Sequence, residues 1–212
     1  MNWFDALEIS EVYPRVFIGG YAISSGLKHK NLHKITASLN VHTESVSEQS
    51  KDVFYMWVPF EDGNPIPQFE FTKCMSWLKF MYENGHTVLI SCAAGISRSV
   101  TIGASFLHFM GFMEFDEALN HIKKIRSVAN PAPHTLLSAK KMLRAWPYDG
   151  SIEESEAEQH DQIVKDSFIW MDFIRLAQTH TNPNCPLKLY LLSGNFEDNT
   201  PRHLISCNCK EK

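Results

Sequence analysis

VLISCAAGISRSVTIGASFLHFMG, residues 88–111, is the stretch from which the rest of the chain can be read. Val88, Leu89, Ile90 and Ser91 predict the end of a buried strand. Cys92 follows, then a loop of small residues around Gly95, then Arg98 and Ser99. Residues 100–110 are an apolar run long enough for about three helical turns. A strand, a tight loop and a helix together make an anion site, because backbone N–H groups converge where the helix dipole is positive. Small side chains let residues 93–98 curl inward, and Gly95 can supply a left-handed position. A Cys at the mouth of such a loop faces N–H dipoles, a helix N-terminus and a guanidinium, all of which stabilise negative charge on sulfur. An anionic sulfur is a nucleophile.

Cys92 and Arg98 make a C-x5-R spacing, which is weak alone and gains meaning from the strand, glycine, hydroxyl and helix around it. An inert buried thiol is the commonest fate of a free Cys, but that reading accounts for neither the loop nor Arg98.

The composition is that of a folded protein. The 212 residues suffice for one domain and an appendage, and aromatic residues make up 12% of them. The net charge of −4 is carried entirely by residues 150–212, since acids and bases balance over residues 1–149. No basic stripe is present to neutralise a nucleic-acid backbone. Five Cys occur, at positions 74, 92, 185, 207 and 209, without a C-x-x-C pair, and residues 1–10 carry no apolar signal segment. These features lead us to expect a reducing, cytoplasmic setting, extending to the nucleus. No apolar run approaches a membrane span, so no membrane partner is expected.

Residues 12–20, VYPRVFIGG, read as a first strand and its turn. A short helix is expected within residues 21–34, and strands at 35–41 and 53–60. Residues 61–67, EDGNPIP, are a breaker-rich loop. Residues 68–83 place Phe71, Cys74, Met75, Leu78, Met81 and Tyr82 at helical spacing, which assigns Cys74 to the core. Phe115, Ala118, Leu119, Ile122 and Ile125 mark another amphipathic helix, and residues 135–146 a last one. Interleaved strands and helices predict an α/β fold with a central, mostly parallel sheet of about five strands flanked by helices. The composition shifts at Gly150: residues 151–161 are acidic, 162–178 can form a helix, and 187–193 can form a strand.

The loop SCAAGISRS closely resembles the HCxxGxSRS signature of the dual-specificity branch of cysteine-dependent protein phosphatases. The segment at Leu39, Asn40 and Val41 is also similar to that family's "LNV" strand. The likeness runs over about residues 9–148, which implies a catalytic domain over 1–149 and an acidic extension of unknown role over 150–212. It further implies that Cys92 is the nucleophile, forming a phosphocysteine intermediate. The backbone of Ala93, Ala94, Gly95, Ile96, Ser97 and Arg98, with the Arg98 fork, would hold the phosphoryl group. Ser99 would donate to the sulfur when it leaves, a role compatible with capping the following helix. The family places its acid Asp on a mobile loop about thirty residues before the Cys, which points to Asp62, with Glu61 as the alternative and a merely loop-shaping carboxylate as the bland reading. Asn40 either braces a loop near the site or is an exposed strand-end residue.

The chain departs from the family pattern twice. Ser91 stands where the family has His, so no positive charge from that side supports an anionic sulfur, and slower turnover is expected. Ala132 stands where the family usually has Asn, with a local effect expected. The variable loop positions Ala93, Ala94 and Ile96 are neutral, which suits a single phosphate on a protein side chain. The short interval from Asp62 to Cys92 suits a shallow cleft open to phosphotyrosine, phosphoserine and phosphothreonine. The expected partners are therefore phosphorylated proteins, with no cofactor and no metal. Two competing readings stay open. One is a phosphoprotein-binding adaptor of low turnover, favoured by Ser91. The other is a structural metal on His203, Cys207 and Cys209 with Cys185 as a fourth ligand. A low-molecular-weight phosphatase is ruled out by order, since its Cys opens the chain.

Overall fold

The computed structural model describes residues 9–144. The expectations placed on residues 150–212, including the acidic segment, the helix, the strand and the His203/Cys207/Cys209 trio, lie outside the described residues, as do the last two residues of the helix expected to end at 146.

The fold is a five-stranded sheet with helices on both faces, as the interleaving predicted. In chain order it runs β1 (Ser10–Tyr13), β2 (Val16–Gly20), α1 (Tyr21–Gly26), β3 (Ala37–Asn40), β4 (Phe54–Trp57), α2 (Gln68–Glu83), β5 (Val88–Cys92), α3 (Arg98–Phe109), α4 (Phe115–Ile125) and α5 (Pro133–Arg144). The strands lie in the order β1-β2-β5-β3-β4, and every pairing is parallel except β1 with β2.

The single strand expected over residues 12–20 is in fact a hairpin. Pro14 and Arg15 form its turn, and Arg15 takes a φ of 64°. The polar/apolar alternation continues across that turn, which is why it reads as one strand. Proline fixes its own φ and lacks an N–H, so it suits the corner of a turn better than a continuous ladder.

β5 is the last strand in sequence and sits in the middle of the sheet, between β2 and β3. All its residues are buried, as are those of β2 and β3, which is the pattern of strands covered on both faces. Their side chains alternate between two cores. Val16, Ile18, Leu39, Val88 and Ile90 face the large core under α2–α5. Phe17 and Leu89 face a smaller one with Leu27, Ile35 and, from β4, Tyr55. Cys74 lies fully buried in the large core, where desolvation pushes its thiol far above the usual range and leaves it inert.

α3 is buried all the way from Arg98 to Leu107. A helix walled in on all sides needs no polar stripe, and its sequence has none over residues 100–107 beyond small hydroxyls. It begins at Arg98, two residues before the expected start. Ser99 therefore lies in the first turn, and the N-cap position belongs to Ser97. In α4, Phe115, Ala118, Leu119 and Ile122 are buried as their spacing predicts, but Ile125 is exposed. The helix ends there, and the next residue, Arg126, turns inward and is buried instead. Strand β5 and helix α3 thus deliver their shared loop to the carboxyl end of the central strand, where parallel sheets place their ligands.

Candidate active site

The loop between β5 and α3 is held open by its own carbonyl groups. Ala93 O accepts from the Tyr21 N–H at 3.1 Å, and Ile96 O accepts from the Asn130 N–H at 2.9 Å. Gly95 O accepts from Arg126 Nε at 2.7 Å, and Ala94 O from Arg126 Nη2 at 3.2 Å. In a trans peptide the carbonyl and the next N–H point in opposite directions. Four carbonyls tied outward therefore turn the N–H groups of Ala94, Gly95, Ile96 and Ser97 toward the inside of the curl. Gly95 makes this possible with a φ of 70°.

Cys92 ends β5 at the mouth of this ring, 2% exposed, with its Sγ 3.2 Å from Ser99 Oγ. Ser99 is itself fully buried, so its short side chain is committed to the sulfur rather than to capping. Ser91, just before the Cys, donates to Leu39 O at 3.3 Å and bridges two strands.

Arg98 is 4% exposed and ties the walls together. Its Nη1 donates to Phe60 O at 2.8 Å and to Val41 O at 3.2 Å. Its Nε is buried without a hydrogen-bond partner, 3.9 Å from Asp62 Oδ2. A buried guanidinium N–H that makes no bond is costly unless a ligand completes it. A tetrahedral oxyanion carries acceptors suited both to such a guanidinium edge and to converging backbone N–H groups.

The acid loop arrives from β4. Asp62 is half-exposed, with Oδ1 accepting from Ser97 Oγ at 2.6 Å and from the Gly63 N–H at 3.0 Å. Glu61 turns outward, accepting from Asn64 Nδ2 at 3.0 Å, so of the two carboxylates it is Asp62 that meets the loop. The loop also makes contacts on its far side. Thr135 donates to Asn64 O at 3.0 Å, Ser138 accepts from the Ile66 N–H at 2.9 Å, and Phe60 and Ile66 are buried. Asn40 braces the neighbouring wall, donating to Glu44 O at 2.8 Å and accepting from the His42 N–H at 3.0 Å. Of its two readings, the brace is the one the geometry fits.

Reading the sequence missed Arg126, Thr135 and Ser138. Arg126 buries a charge against backbone carbonyls and against Ser10 Oγ, and the sequence signal for it is slight: an Arg where the helical period had just ended. Among the described residues no group of His, Cys, Asp and Glu is placed to hold a metal ion.

With the site laid out, comparison with known proteins becomes informative. The family described as "Dual specificity phosphatase, catalytic domain" matches residues 16–142. Human dual specificity protein phosphatase 15 is 30% identical over 123 residues, covering 58% of this chain and 41% of its own length. Rat dual specificity protein phosphatase 5 is 33% identical over 123 residues, covering 57% and 32%. The chain thus spans less than half the length of either relative. Among solved structures, human DUSP28 superposes with a TM-score of 0.58 at 22% identity, over 65% of this chain and 93% of that one, a likeness of fold. The family match spans β5 and α3, which bracket the Cys92 loop, together with the Asp62 loop and Arg126, and by it the chain belongs to the dual specificity phosphatase family.

Proposed function

We propose that this chain hydrolyses phosphomonoesters on protein side chains, phosphotyrosine and also phosphoserine and phosphothreonine, through a phosphocysteine intermediate. One observation carries the reading: Cys92 precedes a loop whose carbonyls from Ala93 to Ile96 are all bonded to neighbouring segments, beside a buried Arg98 Nε that has no hydrogen-bond partner. In the first step the Cys92 sulfur attacks phosphorus, and the bond to the leaving oxygen breaks as Asp62 gives that oxygen a proton. The inward N–H groups and Arg98 meet the charge that builds on the three equatorial oxygens. In the second step Asp62 takes a proton from water, water attacks phosphorus, and the sulfur leaves as an anion stabilised by the Ser99 hydroxyl. Ala93, Ala94 and Ile96 bring no extra charge to the loop, which suits a substrate with one phosphate. The scheme draws on no cofactor. With it we propose a catalytic domain over residues 1–149, an acidic extension over 150–212, and a cytoplasmic setting.

The test is chemical trapping. Acid quenching of a reaction with a small aryl phosphate should leave a phosphoryl group on the peptide that carries Cys92. Turnover without that adduct, or no turnover at all, refutes the reading; the second result leaves a phosphoprotein-binding adaptor, the role that Ser91 would favour. Ser99→Ala supplies a companion measurement. Losing the hydroxyl 3.2 Å from the sulfur should slow the second step about tenfold or more, so the trapped adduct should accumulate and the aryl product should appear in a burst.

A further inference from the structure

Ser97 sits one residue before Arg98, and its side chain makes a contact that a loop of backbone amides does not require. At the N-cap of α3 a Ser hydroxyl ordinarily turns back onto the helix, yet here it makes no capping bond. Its Oγ accepts from the Ala132 N–H at 3.2 Å and lies 2.6 Å from Asp62 Oδ1. An amide can only donate, so it occupies one of the hydroxyl lone pairs and fixes the rotamer. The single proton of Ser97 is then directed at Asp62. A separation of 2.6 Å lies within the range of an O–H donor on an ionised oxygen.

Oδ1 also accepts from the Gly63 N–H at 3.0 Å. Two donors therefore converge on this one oxygen and leave it no room for a proton. The other oxygen, Oδ2, faces Arg98 Nε at 3.9 Å, across the edge where the anion would sit. The two ends of one carboxyl group thus have different tasks. Resting on the phosphatase reading above, we infer that Ser97 is a positioning residue: it anchors Asp62 through Oδ1, so that the transferable proton is carried by Oδ2, toward the leaving oxygen. The Ala132 amide sets the hydroxyl that does this. That arrangement needs only the backbone of residue 132, so Ala at this position keeps it intact.

The experiment compares p-nitrophenyl phosphate, whose leaving group departs readily, with phenyl phosphate, whose leaving group needs the proton. Wild type, Ser97→Ala, Asp62→Asn and the double variant are measured, together with inhibition by orthovanadate. Ser97→Ala should lose kcat about 10-fold or less on the nitrophenyl ester and about 100-fold on the phenyl ester, in the manner of an impaired general acid. In the Asp62→Asn background the same change should add less than about 3-fold, because the anchor then has no acid to serve. Vanadate affinity should stay within about 2-fold of wild type, as expected of an intact loop. Equal losses on both esters, full additivity with Asp62→Asn, or a parallel loss of vanadate affinity would each overturn the inference and make Ser97 a structural residue. Should Ser97→Ala not fold, Ser97→Cys, of similar size and a weak donor, must show the same divergence between esters or the inference falls. A wild type inert to p-nitrophenyl phosphate would sink the phosphatase reading and this one together. An active wild type with the wrong pattern sinks this one alone.

Discussion

Cys92→Ser is expected to lower the hydrolysis of a small aryl phosphate by at least about 10⁴-fold, the scale on which the loss of an enzyme's nucleophile is read. A serine hydroxyl fits the same ring of amides but has no nearby base to take its proton. Asp62 is held by Ser97 and Gly63, and on the proposed mechanism it serves the leaving oxygen instead. The oxyanion ring survives the change, so vanadate or phosphate binding should persist while turnover disappears. Arg98→Lys is the informative partner. A lysine keeps the charge, but its one nitrogen would have to serve Phe60 O, Val41 O and the ligand from a single point, whereas Arg98 holds both carbonyls with Nη1 and leaves Nε unpartnered. We expect a fall of about 10³-fold in kcat/KM with weakened anion binding, the upper end for losing a transition-state donor. Steady-state kinetics with vanadate inhibition separate the two variants. Retained turnover in Cys92→Ser would remove the nucleophile from the mechanism.

The residues of the candidate site differ in how far their positions could be foreseen. Cys92, Arg98 and Ser99 were legible because a loop and the first turn of a helix place near sequence neighbours around one point. Asp62 was legible through order, a breaker-rich turn following a strand, and the structure shows the loop seated beside Ser97. Arg126 was not. It binds two backbone carbonyls, and every residue has a carbonyl, so nothing in its partners' side chains announces the pairing. Thr135 and Ser138 were hidden for the same reason, since they meet backbone groups of the acid loop. The sheet was legible in its elements and less so at its edge. The alternation of residues 12–20 is the same in one strand as in two, and only the geometry of Pro14 and Arg15 decides between them. Ile125 fits the helical period of α4, but the helix ends at that residue, so periodicity could not tell that Arg126 would be the one to enter the core.

Gly95→Ala should cost about 2–5 kcal/mol of stability. The left-handed conformation disfavours any Cβ by about 1–2 kcal/mol, and overpacking in a closed site adds about 1–3 kcal/mol. Both apply here. The residue has a φ of 70°, and an added Cβ would lie 2.7 Å from Arg126 Nη2, 2.7 Å from Gly19 C and 2.8 Å from Gly19 O. The arginine tip can swing away, but the strand β2 backbone cannot yield without disturbing its pairing with β5. The swing would also release the carbonyls of Ala94 and Gly95, so the ring of N–H groups would lose its orientation. Denaturant unfolding should show a lowered midpoint with an unchanged slope. Activity of the remaining folded protein should fall about 100-fold or more, by the loss of at least one preorganised donor. Arg126→Met offers the control, removing the brace without touching the glycine. It should reproduce the activity loss, and a variant as active as wild type would show that the carbonyls hold their places unaided.

The grip of Arg98 on Phe60 O and Val41 O has a bearing on how such a protein can diverge. On the proposed mechanism one side chain would both contact the incoming anion and fasten the chain just beyond β3 and β4, so no mutation could retune the first task and spare the second. On the same mechanism, freedom to adapt to new targets would lie with Ala93, Ala94 and Ile96, whose side chains carry no such joint duty. Lineages of this fold would therefore be expected to vary in what surrounds the anion while the means of holding it stays fixed.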